Sequence, residues 1–94
     1  MTAKGAMPTP VAAATLAAEL IACPSVTPDS AGCYEIVQRV LEPLGFSIVR
    51  QTFAAPGTRP VENLYARFGK GAPNVCLAGH IDVVPPGPLA AWKH

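Results

Sequence analysis

Apolar positions along this chain change period as they go, and the changes mark out two helices followed by three strands. Val11, Leu16, Leu20 and Ile21 make a weak helical stripe among many alanines, which are the best helix formers. Thr9 suits the cap and Pro10 the first helical position. Cys23 then precedes Pro24 and ends the helix, because a residue before proline avoids the α region. Pro24 to Ser30 (PSVTPDS) is rich in turn residues and reads as a loop. The next helix is clearer. Cys33, Ile36, Val37, Val40, Leu41 and Leu44 share one face, with Asp29 or Ser30 as cap and Gly45 as a left-handed stop. Pro43 removes a backbone donor in the last turn and predicts a kink or a tightening there.

Beyond Gly45 the period falls to two. Phe46 to Phe53 predicts a strand, Ala54 to Pro60 a turn, and Glu62 to Phe68 a second strand. In the second, Leu64, Ala66 and Phe68 point one way, and Tyr65 and Arg67 the other. Asn74 to Ala78 (NVCLA) is a short unbroken apolar run, the signature of a strand buried on both faces. Together these elements predict an α/β layer. Tyr65, Phe68 and Trp92 read as packing residues. Arg50, Arg59 and Arg67 read as solvated, Cys76 as inert inside the third strand, and Asn63 as carrying no role.

Composition narrows the classes. The chain has 94 residues, half of them hydrophobic and 14% charged, so it holds at most one small domain and is not a disordered tail. A net charge of +1 with scattered basic residues offers no stripe for phosphates, so no nucleic-acid partner is expected. Cys23, Cys33 and Cys76 are odd in number and far apart, without a CxxC pair, so neither a disulfide framework nor a zinc knuckle is expected. A reducing cytoplasm fits best. Leu20-Ile21-Ala22-Cys23 resembles a lipoprotein cleavage site, but Glu19 and Pro10 interrupt the apolar segment such a signal requires, and a helix is the better reading. No apolar run approaches the ~20 residues that span a bilayer, so no membrane partner is expected.

Chemistry concentrates after the third strand, in Gly79-His80-Ile81-Asp82-Val83-Val84-Pro85-Pro86-Gly87. His80 and Asp82, one residue apart, share a face of an extended chain at the carboxyl end of a central strand, where open α/β sheets place their ligand crevice. His80 can offer a neutral imidazole nitrogen to a metal, and Asp82 can fix the ring tautomer. By spacing alone, such a pair in so small a chain reads first as a hydrogen-bonded structural pair. A zinc site needs three or four ligands, His80 is one, and the other histidine, His94, is the last residue.

GHIDVVPPG also resembles the first metal-binding motif of the zinc-dependent aminoacylase and carboxypeptidase superfamily, and its double proline resembles the succinyl-diaminopimelate desuccinylase branch. Other pieces agree in order: CPSVTPDSAGC (Cys23 to Cys33), LEPLGF (Leu41 to Phe46), ENLYARFG (Glu62 to Gly69) and Trp92 after the motif. The resemblance runs from about Leu16 to the end. It departs at Pro88, where the family often has an acidic residue.

The resemblance implies an α/β fold: the amino-terminal portion of a zinc-peptidase-like catalytic domain, two helices then three strands, with an incomplete sheet. Residues 1–8 would be a loose leader and residues 9–94 the start of that domain, cut short. His80 matches a ligand of one of two Zn2+ ions, for which cobalt can substitute. Asp82 matches the acid at the catalytic site that hydrogen-bonds this histidine and tunes its basicity. The implied reaction is hydrolysis of N-succinyl-LL-2,6-diaminopimelate, a small-molecule substrate, to succinate and diaminopimelate, on the route to lysine. Metal-bound water would attack while a glutamate accepts the proton. The remaining ligands, the general base and the domain that forms a homodimer would lie beyond His94, so the isolated chain is expected to be inactive and not to bind zinc tightly. Open sheet edges make it marginal or aggregation-prone unless covered. Other readings within the class are an acetylornithine deacetylase or a dipeptidase, and outside it a non-catalytic fragment.

Overall fold

The computed structural model describes residues 12–93. The expected leader, Thr9, Pro10, Val11 and His94 lie outside the described residues.

The first helix, α1, spans Ala13–Ile21. Leu16 and Leu20, one turn apart, are half-buried, whereas Ile21 is 82% exposed. Ile21 therefore leaves the expected stripe: a step of one residue turns it about 100° away from Leu20. The second helix, α2, spans Cys33–Leu41. Neither Asp29 nor Ser30 caps it with a side chain. The chain enters through two left-handed residues, Ala31 (φ 51°) and Gly32 (φ 93°), and Ser30 contributes its carbonyl, which accepts from Cys33 N at 2.9 Å. Asp29 is drawn off to Arg59, 3.2 Å away.

The end of α2 follows the expectation. Pro43 tightens the chain into a 3-10 turn over Glu42–Leu44, and Gly45 stops it at φ 103°. Gly45 N donates to Glu42 O at 3.0 Å and Phe46 N to Leu41 O at 3.3 Å, the paired bonds of a Schellman ending. The left-handed backbone favours glycine here, and a Cβ would also stand 3.2 Å from the Phe68 ring, which would have to shift slightly.

Two strands follow, β1 over Ser47–Phe53 and β2 over Val61–Arg67, antiparallel with Ser47 opposite Arg67 and Phe53 opposite Val61. Ile48 and Arg50 of β1, and Glu62, Leu64 and Ala66 of β2, are the half-buried positions, while Val49 and Tyr65 on the other face are exposed. Phe68 packs against Phe46, ring centroids 5.3 Å apart.

Arg50 is not the solvated residue its position suggested. Its Nε and one terminal nitrogen donate to the two carboxylate oxygens of Glu62, both at 2.9 Å, and the same terminal nitrogen reaches Glu35 at 2.8 Å. The guanidinium thus ties α2 to β2. It lies 5.8 Å from the centre of the Tyr34 ring, and the Tyr34 hydroxyl donates to Glu62 O at 2.9 Å. Arg59 and Arg67 make only exposed contacts.

The expected third strand is absent among the described residues. Asn74 to Ala78 carries no ladder, Val75 is 84% and Leu77 93% exposed, and Cys76 is exposed instead of sheltered. Apolar composition marks a segment fit for a buried strand, but a strand exists only where neighbours accept its backbone bonds, and no described segment pairs with it. The architecture is α/β: two helices and a two-stranded antiparallel sheet. Among the described residues only Ser25 and Cys33 are buried. No described helix is long and apolar enough to cross a membrane.

Candidate functional site

The loop between α1 and α2 holds the 79–87 segment in place. Val26 forms an isolated parallel bridge with Val83, and Val83 N donates to Ser25 O at 3.0 Å. Ser25, 2% exposed, also donates its hydroxyl to Ile81 O at 2.7 Å. These bonds fix an extended stretch whose alternate side chains diverge. Ile81 turns inward and is half-buried, while His80 and Asp82 turn outward.

His80 and Asp82 meet as their spacing predicts. His80 Nδ1 is 2.8 Å from Asp82 Oδ1 and 3.1 Å from Asp82 O. A carboxylate accepts only, so the neutral ring must carry its proton on Nδ1, which leaves the Nε2 lone pair free. The other carboxylate oxygen, Oδ2, accepts from the Thr27 hydroxyl at 2.7 Å. The Thr27 bond first and the His80 bond second hold the Asp82 carboxyl below the usual carboxylate range.

Beside the pair lies a small cavity of about 140 Å³, walled by Thr27, Asp29, Tyr34, Glu62 and Asn63. Sequence reasoning missed Thr27, Tyr34 and Asn63 as its neighbours. From sequence the loop reads only as turn residues, and a contact between positions 27 and 82 leaves no periodic trace. Trp92 also differs from expectation. It is 62% exposed and donates its indole N–H to Pro86 O at 2.9 Å, closing the Pro85-Pro86-Gly87 turn instead of packing.

The donor set can be tested against zinc. His80, with Nε2 free and Nδ1 held by a carboxylate, has the chemistry of a metal-ligating histidine. One ligand does not make a site, and the described residues contain no group of three His, Cys, Asp or Glu able to hold an ion.

No family model matches the chain. A succinyl-diaminopimelate desuccinylase of Rhodospirillum centenum is 58% identical over 85 residues, 90% of this chain and 21% of the relative. Desuccinylases of Rhodopseudomonas palustris strain BisB18 and of Afipia carboxidovorans are 52% and 51% identical, over 87% and 84% of the chain. Over nearly its whole length the chain is similar to succinyl-diaminopimelate desuccinylases. It spans about a fifth of the length of the curated relatives it matches. Half of the aligned positions being identical across nearly the whole chain, the similarity rests on far more than the GHIDVV motif.

Proposed function

We propose that this chain forms part of the catalytic domain, residues 9–94, of a zinc-dependent amide hydrolase that cleaves N-succinyl-LL-2,6-diaminopimelate. His80 is its contribution to the metal centre, and Asp82 is the carboxylate that orients that histidine. The observation that carries this reading is the His80 Nδ1–Asp82 Oδ1 contact of 2.8 Å, which frees Nε2. Its setting in a chain 58% identical to a desuccinylase supports the substrate. Zinc, when bound, would acidify a water molecule and polarise the amide carbonyl. The work of this chain's own residues is narrower. Asp82 fixes the His80 tautomer, and the Ser25 and Val26 bonds hold both side chains on one outward face. The other ligands and the proton acceptor belong to parts of the polypeptide beyond these residues, as does any dimer contact. Three free thiols suit a reducing, cytoplasmic setting.

The test is a chimera in which this chain replaces the matched segment of the Rhodospirillum centenum relative. It should release succinate from N-succinyl-LL-2,6-diaminopimelate, and His80→Ala should abolish the release with the zinc content reduced. Preference for acetylornithine or a dipeptide would replace the substrate while keeping the reaction. A folded, zinc-loaded chimera inactive on all three would favour the non-catalytic reading.

A further inference from the structure

His80 and Asp82 alone do not determine where the carboxylate points. Asp82 sits on an outward face with half its side chain exposed, and a carboxylate there can rotate toward solvent. What restrains it comes from a segment 55 positions earlier: the Thr27 hydroxyl donates to Oδ2 at 2.7 Å while Oδ1 is left to His80. The residues just before Thr27 are anchored to the same segment. The preceding Ser25 is buried and bound to Ile81 and Val83 on both sides of the carboxylate's own residue. Thr27 then opens the turn that Asp29 N closes on Val26 O at 3.0 Å, and from there its exposed side chain meets the carboxylate.

We propose that Thr27 is a positioning residue, whose hydroxyl locks the Asp82 carboxylate in the rotamer that holds His80 as the Nδ1–H tautomer. This deepens the function proposed above and rests on its reading of His80 and Asp82. A hydroxyl is needed because it donates to one oxygen without competing for the other. Valine has the same shape and cannot donate, and serine keeps the donor.

The experiment reads the tautomer directly, with no metal present. Histidine labelled with 15N is introduced into the 94-residue chain, and two-bond proton–nitrogen correlations are recorded near pH ~8.5, about two units above the ordinary imidazole pKa. The chain has 2 histidines, and His94→Gln assigns the signals. The expected result is a predominant Nδ1–H tautomer in the wild type, the reverse of a histidine free in water. Thr27→Val should lower the Nδ1–H to Nε2–H ratio by roughly three- to tenfold, the effect of one lost hydrogen bond, and Thr27→Ser should keep the wild-type ratio. Protection of the Val83 amide reports whether the loop is intact. Where valine abolishes that protection, the serine variant decides: a wild-type ratio supports the proposal and a fallen one overturns it. An unchanged ratio in Thr27→Val overturns the Thr27 proposal alone, provided Asp82→Ala lowers it. A wild type with a protected Val83 amide but the free-histidine ratio, or Asp82→Ala without effect in such a chain, would overturn the His80–Asp82 reading, and the Thr27 proposal with it.

Discussion

Removing the Arg50 guanidinium should loosen the joint between α2 and the hairpin, and the size of the effect follows from its surroundings. Arg50 and Glu62 are 27% and 28% exposed in their side chains and meet through two parallel bonds of 2.9 Å. Exposed pairs are worth 0.2–1 kcal/mol, and hydrogen bonds to charged groups about 1.5–3 kcal/mol when sheltered. Discounted for screening, this half-sheltered fork should contribute about 1 kcal/mol. Arg50→Met keeps the aliphatic stem and removes the fork, leaving the Glu62 carboxylate facing Tyr34 without its counter-charge. Urea titration followed by circular dichroism, in a cycle with Glu62→Gln, isolates the pair. The coupling should be about 1 kcal/mol in dilute buffer and shrink in ~1 M salt, where the Debye length is about 3 Å. Arg50 also holds the Glu35 carboxyl below its ordinary range, chiefly through its hydrogen bond. A carboxylate lowered in the folded state adds stability above its unfolded pKa and loses it as pH falls through the folded value. The wild type should therefore weaken in acid more steeply than Arg50→Met. A coupling indistinguishable from zero in dilute buffer, or equal acid limbs, would refute the reasoning.

Gly45→Ala should cost about 1–2 kcal/mol from the left-handed backbone alone, with further loss from the 3.2 Å approach to Phe68; a neutral urea midpoint would count against the Schellman ending. Leu77→Lys, at a position 93% exposed, should change stability by no more than about 0.5 kcal/mol while reducing self-association and binding of an apolar dye. An equal loss of stability and of dye binding would mean that Leu77 is packed in solution. Thiol titration with an aromatic disulfide should modify exposed Cys76 first and buried Cys33 last. Burial, and then the neighbouring Cys33 thiol, raises the Cys23 pKa, which should slow Cys23 relative to Cys76; simultaneous reaction of all three would contradict the fold.

Where the physics is local, the sequence suffices. The spacing of Cys33 to Leu44 carries α2, because residues three and four apart share a helix face whatever they pack against. Pro43 and Gly45 set the ending of α2, since ring closure and a missing Cβ act within one turn. Alternation in Leu64 and Ala66 likewise foretells β2, and the one-residue gap between His80 and Asp82 places both on one side of an extended chain.

Tertiary structure decides whatever depends on a distant partner. Composition marks Asn74 to Ala78 as apolar, but a strand requires a ladder, and no described neighbour supplies one. Asp29 and Ser30 have the chemistry of caps, yet the left-handed entry through Ala31 and Gly32 takes that task and leaves Asp29 to Arg59. Arg50 looks like a surface charge until β1 folds back on β2 and brings it to Glu62 and Glu35. Thr27 becomes visible beside Asp82 only once Ser25 has pinned its loop to Ile81 and Val83. Periodicity reports the direction of a side chain and not what waits there, so the helices, the hairpin and the His80–Asp82 pair were legible, and the contacts that hold them in place were not.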